Sequence, residues 1–319
     1  MNEQNIDFQP TQWQGAGAIR QSYLSLLVEQ EIARNPHRQR IGTEHFADQF
    51  GLEGFDFKLA GMIADNFARV FNGGVFTSIR NAMSGLFEPS RTRSVTPPLS
   101  NNLRLWLSRQ NYVSLSEVTV YVPKGLRVTY LDYLTALETA APTVLDILKG
   151  IVEPTIEYVG ILINNPSYVR SASGIGVSHA NATLANVKIE DVAEGIAACF
   201  DPNGNSDEVK YGAVVQRNKD FEEVHRRLAA LQETVAASRP VEVEKRIGVL
   251  IELTEKLAEA VRSHPEYKAI SGAISKEVAG RVYNCALWAE FYAVYLRQVM
   301  VLEAAVTDSA KKLTKISKT

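Results

Sequence analysis

The chain has 319 residues, of which 45% are hydrophobic and 22% are charged, and its formal net charge is −2. These values are typical of a folded globular protein and exclude an intrinsically disordered or a collagen-like chain. They also argue against a protein dominated by phosphate binding, because such proteins are usually basic overall.

The first residues and the cysteines bear on the cellular compartment. The stretch MNEQNIDFQPTQWQ lacks the positive and apolar regions of a secretory signal, so we expect no export by that route. Cys199 and Cys285 lie in apolar helical contexts without disulfide or zinc spacing, and we expect both thiols to be reduced and buried. Three charged residues interrupt the longest apolar stretch, 282–306, and this predicts that it does not span a membrane.

The first third of the chain has a helical pattern between two polar segments. A polar arm, 1–15, precedes a helical region, 16–87, and apolar spacing predicts its first helix from Ala16 to Arg34. Further short helices are predicted between glycines. Residues 88–102, EPSRTRSVTPPLSNN, contain three prolines and no apolar periodicity, so we predict a linker or an extended arm.

Residues 103–200 have a mixed pattern. A short helix is predicted around Trp106. The alternation of apolar residues in EVTVYVPKGLRVTY, which begins at Glu117, predicts a small β-hairpin. Helical patterns follow from Leu131 to about Asn164 and from Asn186 to Phe200.

Residues 201–319 carry the clearest pattern, because apolar residues step by three and four along two segments that meet near Arg239-Pro240. The residues of this pattern in the first segment are Phe221, Val224, Leu228, Leu231 and Val235. Those in the second segment are Val243, Ile247, Leu250, Thr254, Leu257 and Val261. A third, aromatic helix is predicted from about Ser275 to Val306. The predicted fold is therefore mainly α, with a small β-hairpin and a helical bundle in the C-terminal third. Packing within this bundle is the default interpretation, and a partner-binding coiled coil is the alternative.

The segment DPNGNSDEVKYG, from Asp201 to Gly212, has oxygen-bearing side chains at alternate positions, as a calcium loop does. An EF-hand loop needs glycine at its sixth position and glutamate at its twelfth, where this segment has Ser206 and Gly212. The prediction is a turn that ends a helix at Phe200.

The segment SASGIGVSHANA, residues 171–182, contains two incomplete motifs. The third glycine of a dinucleotide-binding loop is replaced by His179. Ser178 has the setting of a nucleophile elbow, but no strand-to-helix turn in a parallel sheet is predicted there.

No complete motif for catalysis or metal binding was found. Glu44, His45 and Asp48 share one helical face, which is most simply a solvated face because no second ligand set accompanies it. His225 beside Glu222 is likewise interpreted as part of an exposed face. Without a P-loop, an H-E-x-x-H motif or paired carboxylates, we predict no catalytic, cofactor or metal site.

Charge is distributed in two blocks. Residues 66–131 hold eight Lys/Arg and two acidic residues, a net charge of +6. Residues 132–208 hold three Lys/Arg and eleven acidic residues, a net charge of −8. The candidate contacts to a partner or to nucleic acid are Arg91, Arg93, Arg104, Trp106 and Arg109. The simpler interpretation is that these arginines pair with the acidic block.

A Gln/Asn-rich arm, the VTVYVPKGLRVTY segment set among helices and the long C-terminal amphipathic helices together resemble virion structural or prohead-core proteins of large tailed bacteriophages. This resemblance implies a non-enzymatic structural or assembly protein, in the virion or the host cytoplasm, whose partners are protein subunits including its own copies. One alternative is a nucleic-acid-associated protein that uses the basic block. Another is a hydrolase that uses Ser178 and His179.

Overall fold

Helices dominate the part of the chain that the structure describes. The computed structural model describes residues 98–165, 183–201, 203–264 and 271–318. Of this part, 75% is helical, which confirms the predicted mainly α fold. The predictions for residues 1–97, including Arg91 and Arg93, and for the segment 171–182 lie outside the described residues.

The described part opens with two short helices, Asn101–Arg109 (α1) and Tyr112–Ser116 (α2). Each begins at a side-chain cap. The Ser100 hydroxyl accepts a hydrogen bond from the Leu103 backbone amide at 3.3 Å, and the side-chain oxygen Oδ1 of Asn111 accepts one from the Val113 backbone amide at 3.0 Å. The helix predicted around Trp106 is thus confirmed as α1.

The β element is a two-stranded antiparallel sheet of Thr119–Tyr121 (β1) and Glu208–Lys210 (β2), with Val120 opposite Val209. A small antiparallel sheet was expected, but the predicted hairpin partner of β1 was wrong. The chain turns after Pro123, and Leu126 forms only an isolated bridge with Phe200.

The second half of the alternating segment leaves the sheet because a helix cap follows it at once. Thr129 and Asp132 form a capping box in which each side chain bonds the other residue's backbone amide. Tyr130 therefore begins a helix instead of ending a strand.

The helical stretch predicted from Leu131 to Asn164 is divided into three pieces. They are Tyr130–Val144 (α3), a π-helical turn Leu148–Val152, and Glu153–Asn164 (α4). Pro142 lies inside α3, and Pro154 lies in the first turn of α4, which follows the π-helical turn directly. The helix predicted from Asn186 to Phe200 is shorter in the structure, Ile189–Ala197 (α5).

The described residues of the C-terminal segment form one short helix and three long ones. They are Tyr211–Val214 (α6), Asn218–Ala237 (α7), Pro240–Ser263 (α8) and Ser271–Ile316 (α9). The two amphipathic helices and their junction at Arg239-Pro240 are confirmed, and α9 extends beyond the predicted range at both ends.

The apolar faces of the long helices are used inside the molecule. Helix α7 packs against α1, α3 and α9, and α8 packs against α4, the π-helical turn and α9. One cluster of buried hydrophobic residues includes residues from both 103–200 and 201–319. The predicted bundle is therefore built within one chain, with α9 in contact with both amphipathic helices.

Helix α9 is largely buried over its described residues, and Trp288, Tyr292 and Tyr295 have no exposed surface. By length and composition, the part from Gly280 to Ile316 could cross a membrane, but 83% of its most apolar window is buried inside the fold. The buried core helix of a folded protein also has the length and apolar composition that could cross a membrane.

The segment that begins at Asp201 forms a turn against Gly125. The Asp201 carboxylate accepts from the Asn203 amide at 2.9 Å, and the Gly204 amide donates to the Asp201 carbonyl at 2.9 Å. Gly125 has a φ of +76°, and a Cβ there would lie 2.9 Å from the Asp201 carbonyl oxygen. The predicted turn is confirmed, and the residues that follow it form β2.

Candidate functional site

The predicted contact residues that the structure describes, Arg104, Trp106 and Arg109, all lie on α1. This helix is fixed to α7 at its C-terminal end. The Asn218 side-chain amide donates to the carbonyls of Leu107 and Gln110 at 2.9 and 3.1 Å, so it satisfies acceptors that the end of α1 would leave free. The side chains of α1 therefore stand on a supported helix.

Arg104 forms an ion pair with Glu222 of α7. Glu222 lies outside the acidic block, so the expectation that the basic block pairs with the acidic block was wrong for this arginine. The reason is that α1 packs against α7.

The acidic block instead pairs with the C-terminal helices. Arg227 Nε lies 3.1 Å from a Glu138 carboxylate oxygen, and Arg246 Nε lies 2.6 Å from Glu153. The hydrogen bonds that both guanidinium groups donate to these carboxylates raise the pKa of each arginine. The charge complementarity within this fold thus joins α3 to α7 and α4 to α8.

Trp106 and Arg109 differ in what they offer to a partner. Trp106 is half-buried and packs against the core, which occupies part of its ring. Arg109 is exposed and forms no ion pair within the described part of the chain. Leu105, 55% exposed, is four residues from Arg109 and shares its side of α1, and Val113 on α2 is 71% exposed. We call Leu105, Arg109 and Val113 the α1–α2 surface.

A surface of opposite charge lies on α5. Asp191 and Glu194 are exposed, three residues apart on one side of the helix, and neither forms an ion pair with any residue that the structure describes. Because α5 packs against α3 whereas α1 packs against α7, the two surfaces belong to different elements of the bundle. We call Asp191 and Glu194 the α5 surface.

A groove of about 460 Å³ lies beside the N-terminal end of α1. Helices α1, α7 and α9 and the residues before α1 contribute to its walls. Its described lining residues are Pro98, Leu99, Ser100, Leu103, His225, Thr307, Ala310, Lys311, Thr314 and Lys315.

His225 is the most unusual residue of this groove. It is only 6% exposed, and neither ring nitrogen has a hydrogen-bond partner in the described part of the chain. Its ring packs edge-on against Phe221 with centroids 5.1 Å apart. Burial lowers the pKa of the imidazole to about 4, so it is neutral at pH 7, with one N–H donor and one acceptor.

The interpretation of His225 as part of an exposed face was wrong. It lies on the buried side of α7 with Phe221, Leu228 and Gln232. The spacing of these residues by three and four was visible in the sequence, but a polar residue within that series was not counted as part of the buried face.

Both cysteines are free and buried, as predicted. Cys285 donates to the Thr155 hydroxyl oxygen at 3.1 Å. Burial raises the pKa of its thiol to about 12, so the reactive thiolate is scarce at neutral pH. Among the described residues, no group of three or more His, Cys, Asp or Glu side chains could hold a metal ion.

Comparisons with protein-family models, with curated proteins and with solved structures found no match to this chain.

Proposed function

We propose that this protein is a non-enzymatic structural or assembly subunit whose copies associate through the α1–α2 surface of one copy and the α5 surface of the next. The observation that carries the proposal is that both surfaces are exposed, opposite in charge and without ion pairs inside the described chain. The resemblance to virion structural proteins of large tailed bacteriophages suggests a virion as the assembly.

The composition of the α1–α2 surface supports a protein partner. Residues 98–116 contain Arg104 and Arg109 and no acidic residue. Exposed leucine and valine beside an unpaired arginine fit an interface, because apolar contacts supply affinity and arginine is enriched at interface hot spots. The unpaired carboxylates of the α5 surface complement this charge.

Contact between two different surfaces has a consequence for the assembly. Such an interface is heterologous, so an open chain of copies keeps a free α1–α2 surface at one end and a free α5 surface at the other, and it grows as a filament or closes into a ring. A protein with this arrangement forms repeated contacts, as a subunit of a large particle does.

A charge exchange tests the proposal. We expect the full chain to associate increasingly as its concentration rises, measured by sedimentation velocity at low salt, and to associate less at high salt.

R109E and the double variant D191R/E194R should each weaken association, whereas R109E combined with D191R should restore part of it, because the opposite charges then face each other again. L105S and V113S should weaken association without changing the thermal midpoint.

The matched control is K245E, which reverses an exposed lysine on α8. It should leave association unchanged. A protein that stays monomeric at high concentration, or equal association of R109E and wild type, would contradict the proposal.

The nucleic-acid alternative is tested by a separate variant. The ion pair of Arg104 with Glu222 weighs against it, because this guanidinium already has a carboxylate partner. If wild type binds labelled DNA or RNA at low salt, and neutralising Arg91, Arg93, Arg104 and Arg109 together abolishes that binding, the alternative replaces our proposal.

A further inference from the structure

We propose that the groove between the N-terminal end of α1, α7 and α9 binds a small organic anion, with its carboxylate or phosphate head near Lys315 and a polar atom paired with His225 and Thr307. This site is independent of the contacts between copies proposed above.

The strongest observation is a pair of polar side chains without partners. Both nitrogens of His225 and the hydroxyl oxygen of Thr307 are buried and have no hydrogen-bond partner among the residues that the structure describes. They come from two different helices, α7 and α9, and both residues line the same groove. Buried polar groups are nearly always hydrogen-bonded, so such a pair calls for a partner beyond the residues that the structure describes, and a bound ligand would supply it.

The ring of His225 has two alternative orientations that need no change of the backbone. A half-turn of the ring about its Cβ–Cγ bond exchanges the positions of ring carbons and nitrogens, and this torsion of histidine is broad and roughly two-fold. The neutral imidazole then presents one donor or one acceptor to the groove, and the Thr307 hydroxyl can serve in either role.

The charges around the groove favour an anion. Lys315 is exposed and forms no ion pair within the described residues, whereas Lys311 lies 2.7 Å from Asp308. The N-terminal end of α1 adds a partial positive charge, since the Ser100 side chain bonds only the Leu103 amide. Lysine and a helix N-terminus together are a recurrent setting for carboxylate and phosphate groups.

The size and the remaining walls favour an organic anion over a bare inorganic ion. The volume of about 460 Å³ is in the range of small-molecule sites. Pro98, Leu99, Leu103 and Ala310 supply apolar surface for a carbon skeleton. The ligand class is therefore a compact hydroxylated carboxylate or phosphate ester.

The test is a thermal-shift screen of the full chain, followed by calorimetric titration. The probes are inorganic phosphate, glycerol 3-phosphate, acetate and 3-hydroxybutyrate at matched ionic strength. At least one organic probe should raise the melting temperature in a saturable way, since a ligand that binds only the folded state stabilises it. Comparison of the phosphate and carboxylate arms identifies the head group.

Three variants make the result specific. T307V keeps the shape of the side chain, and K315A removes an exposed charge, so both should fold; each should weaken the binding of the best probe about tenfold. K245A, on α8, is the control and should bind as wild type does. If no probe saturates, the proposal fails. If T307V and K315A bind like wild type, the result is an adventitious ion only, which also overturns it.

Discussion

His225 is a polar residue that is buried because it lies on the apolar face of α7. It lies among Phe221, Leu228 and other apolar residues of α7 that become buried together. Leaving a buried polar group without a partner costs about 1–3 kcal/mol, and charging it costs more. The fold therefore holds this imidazole neutral, at some expense in stability.

This residue predicts a specific pH dependence of stability. The folded pKa of His225 is about 4 and its ordinary value is 6.5, so between these values the unfolded chain binds more protons. The free energy of unfolding should therefore fall as the pH falls from 6.5 toward 4, and His225 should account for about 2 kcal/mol between pH 7 and pH 5.

Urea denaturation of wild type and H225L at both pH values measures this contribution. H225L should lose that part of the pH dependence and be as stable as wild type or more stable at pH 7, because it buries no unpartnered nitrogen. H264Q changes an exposed histidine and should keep the wild-type pH profile. Equal pH profiles for wild type and H225L would show that His225 is not buried in the neutral form.

At the scale of elements, the junction of α7 and α8 contains Arg239, whose backbone has a left-handed conformation. Arg239 has a φ of 55° and a ψ of 65°, which is the left-handed region that favours glycine. Ser238 before it lies 2.7 Å from the Tyr292 hydroxyl of α9, and Pro240 after it starts α8. Both helices pack against α9 on either side of this short connection in the chain.

We expect R239G to stabilise the protein by up to about 1 kcal/mol, because glycine adopts this conformation without the steric cost that Arg239 bears. Chemical denaturation at neutral pH measures the change. The matched control is A237G, which places the same residue at the end of α7, where it should destabilise by up to about 1 kcal/mol. A loss of stability in R239G would mean that the arginine side chain contributes more than its backbone costs.

At the scale of the whole molecule, helix α9 packs against strand β1. Ser309 of α9 is fully buried, and its hydroxyl oxygen accepts from the Tyr121 amide at 2.9 Å. The same hydroxyl lies 3.2 Å from the Tyr121 carbonyl and 3.3 Å from the Tyr130 hydroxyl. Groups separated by 188 residues in sequence thus form one polar contact beside the sheet.

S309A should destabilise the protein by about 1–3 kcal/mol, because the Tyr121 amide then loses its partner in a partly buried position. Urea unfolding followed by circular dichroism measures the difference. S108A removes a hydroxyl that bonds only the Leu105 carbonyl on the surface, and it should change stability by less than about 0.5 kcal/mol. If the two variants were equally stable, the contact of α9 with β1 would not contribute to the fold.

Local patterns in the sequence by themselves determined much of the helical architecture. The steps from Phe221 to Val235 and from Val243 to Val261 predicted α7 and α8, and Arg239-Pro240 marked their junction, because amphipathic periodicity and proline act within a few residues. Trp106, on α1, was predicted from the sequence to lie in a helix, and Arg104 and Arg109 were chosen with it as candidate contacts.

Only the tertiary structure decided which of these elements meet. It paired β1 with Glu208–Lys210, placed Glu222 beside Arg104 and brought His225 and Thr307 to one groove. None of these pairs is close in sequence, and each depends on how the helices pack. Helical periodicity records which side of an element is buried, whereas strand pairing, ion pairs and grooves depend on what it is buried against.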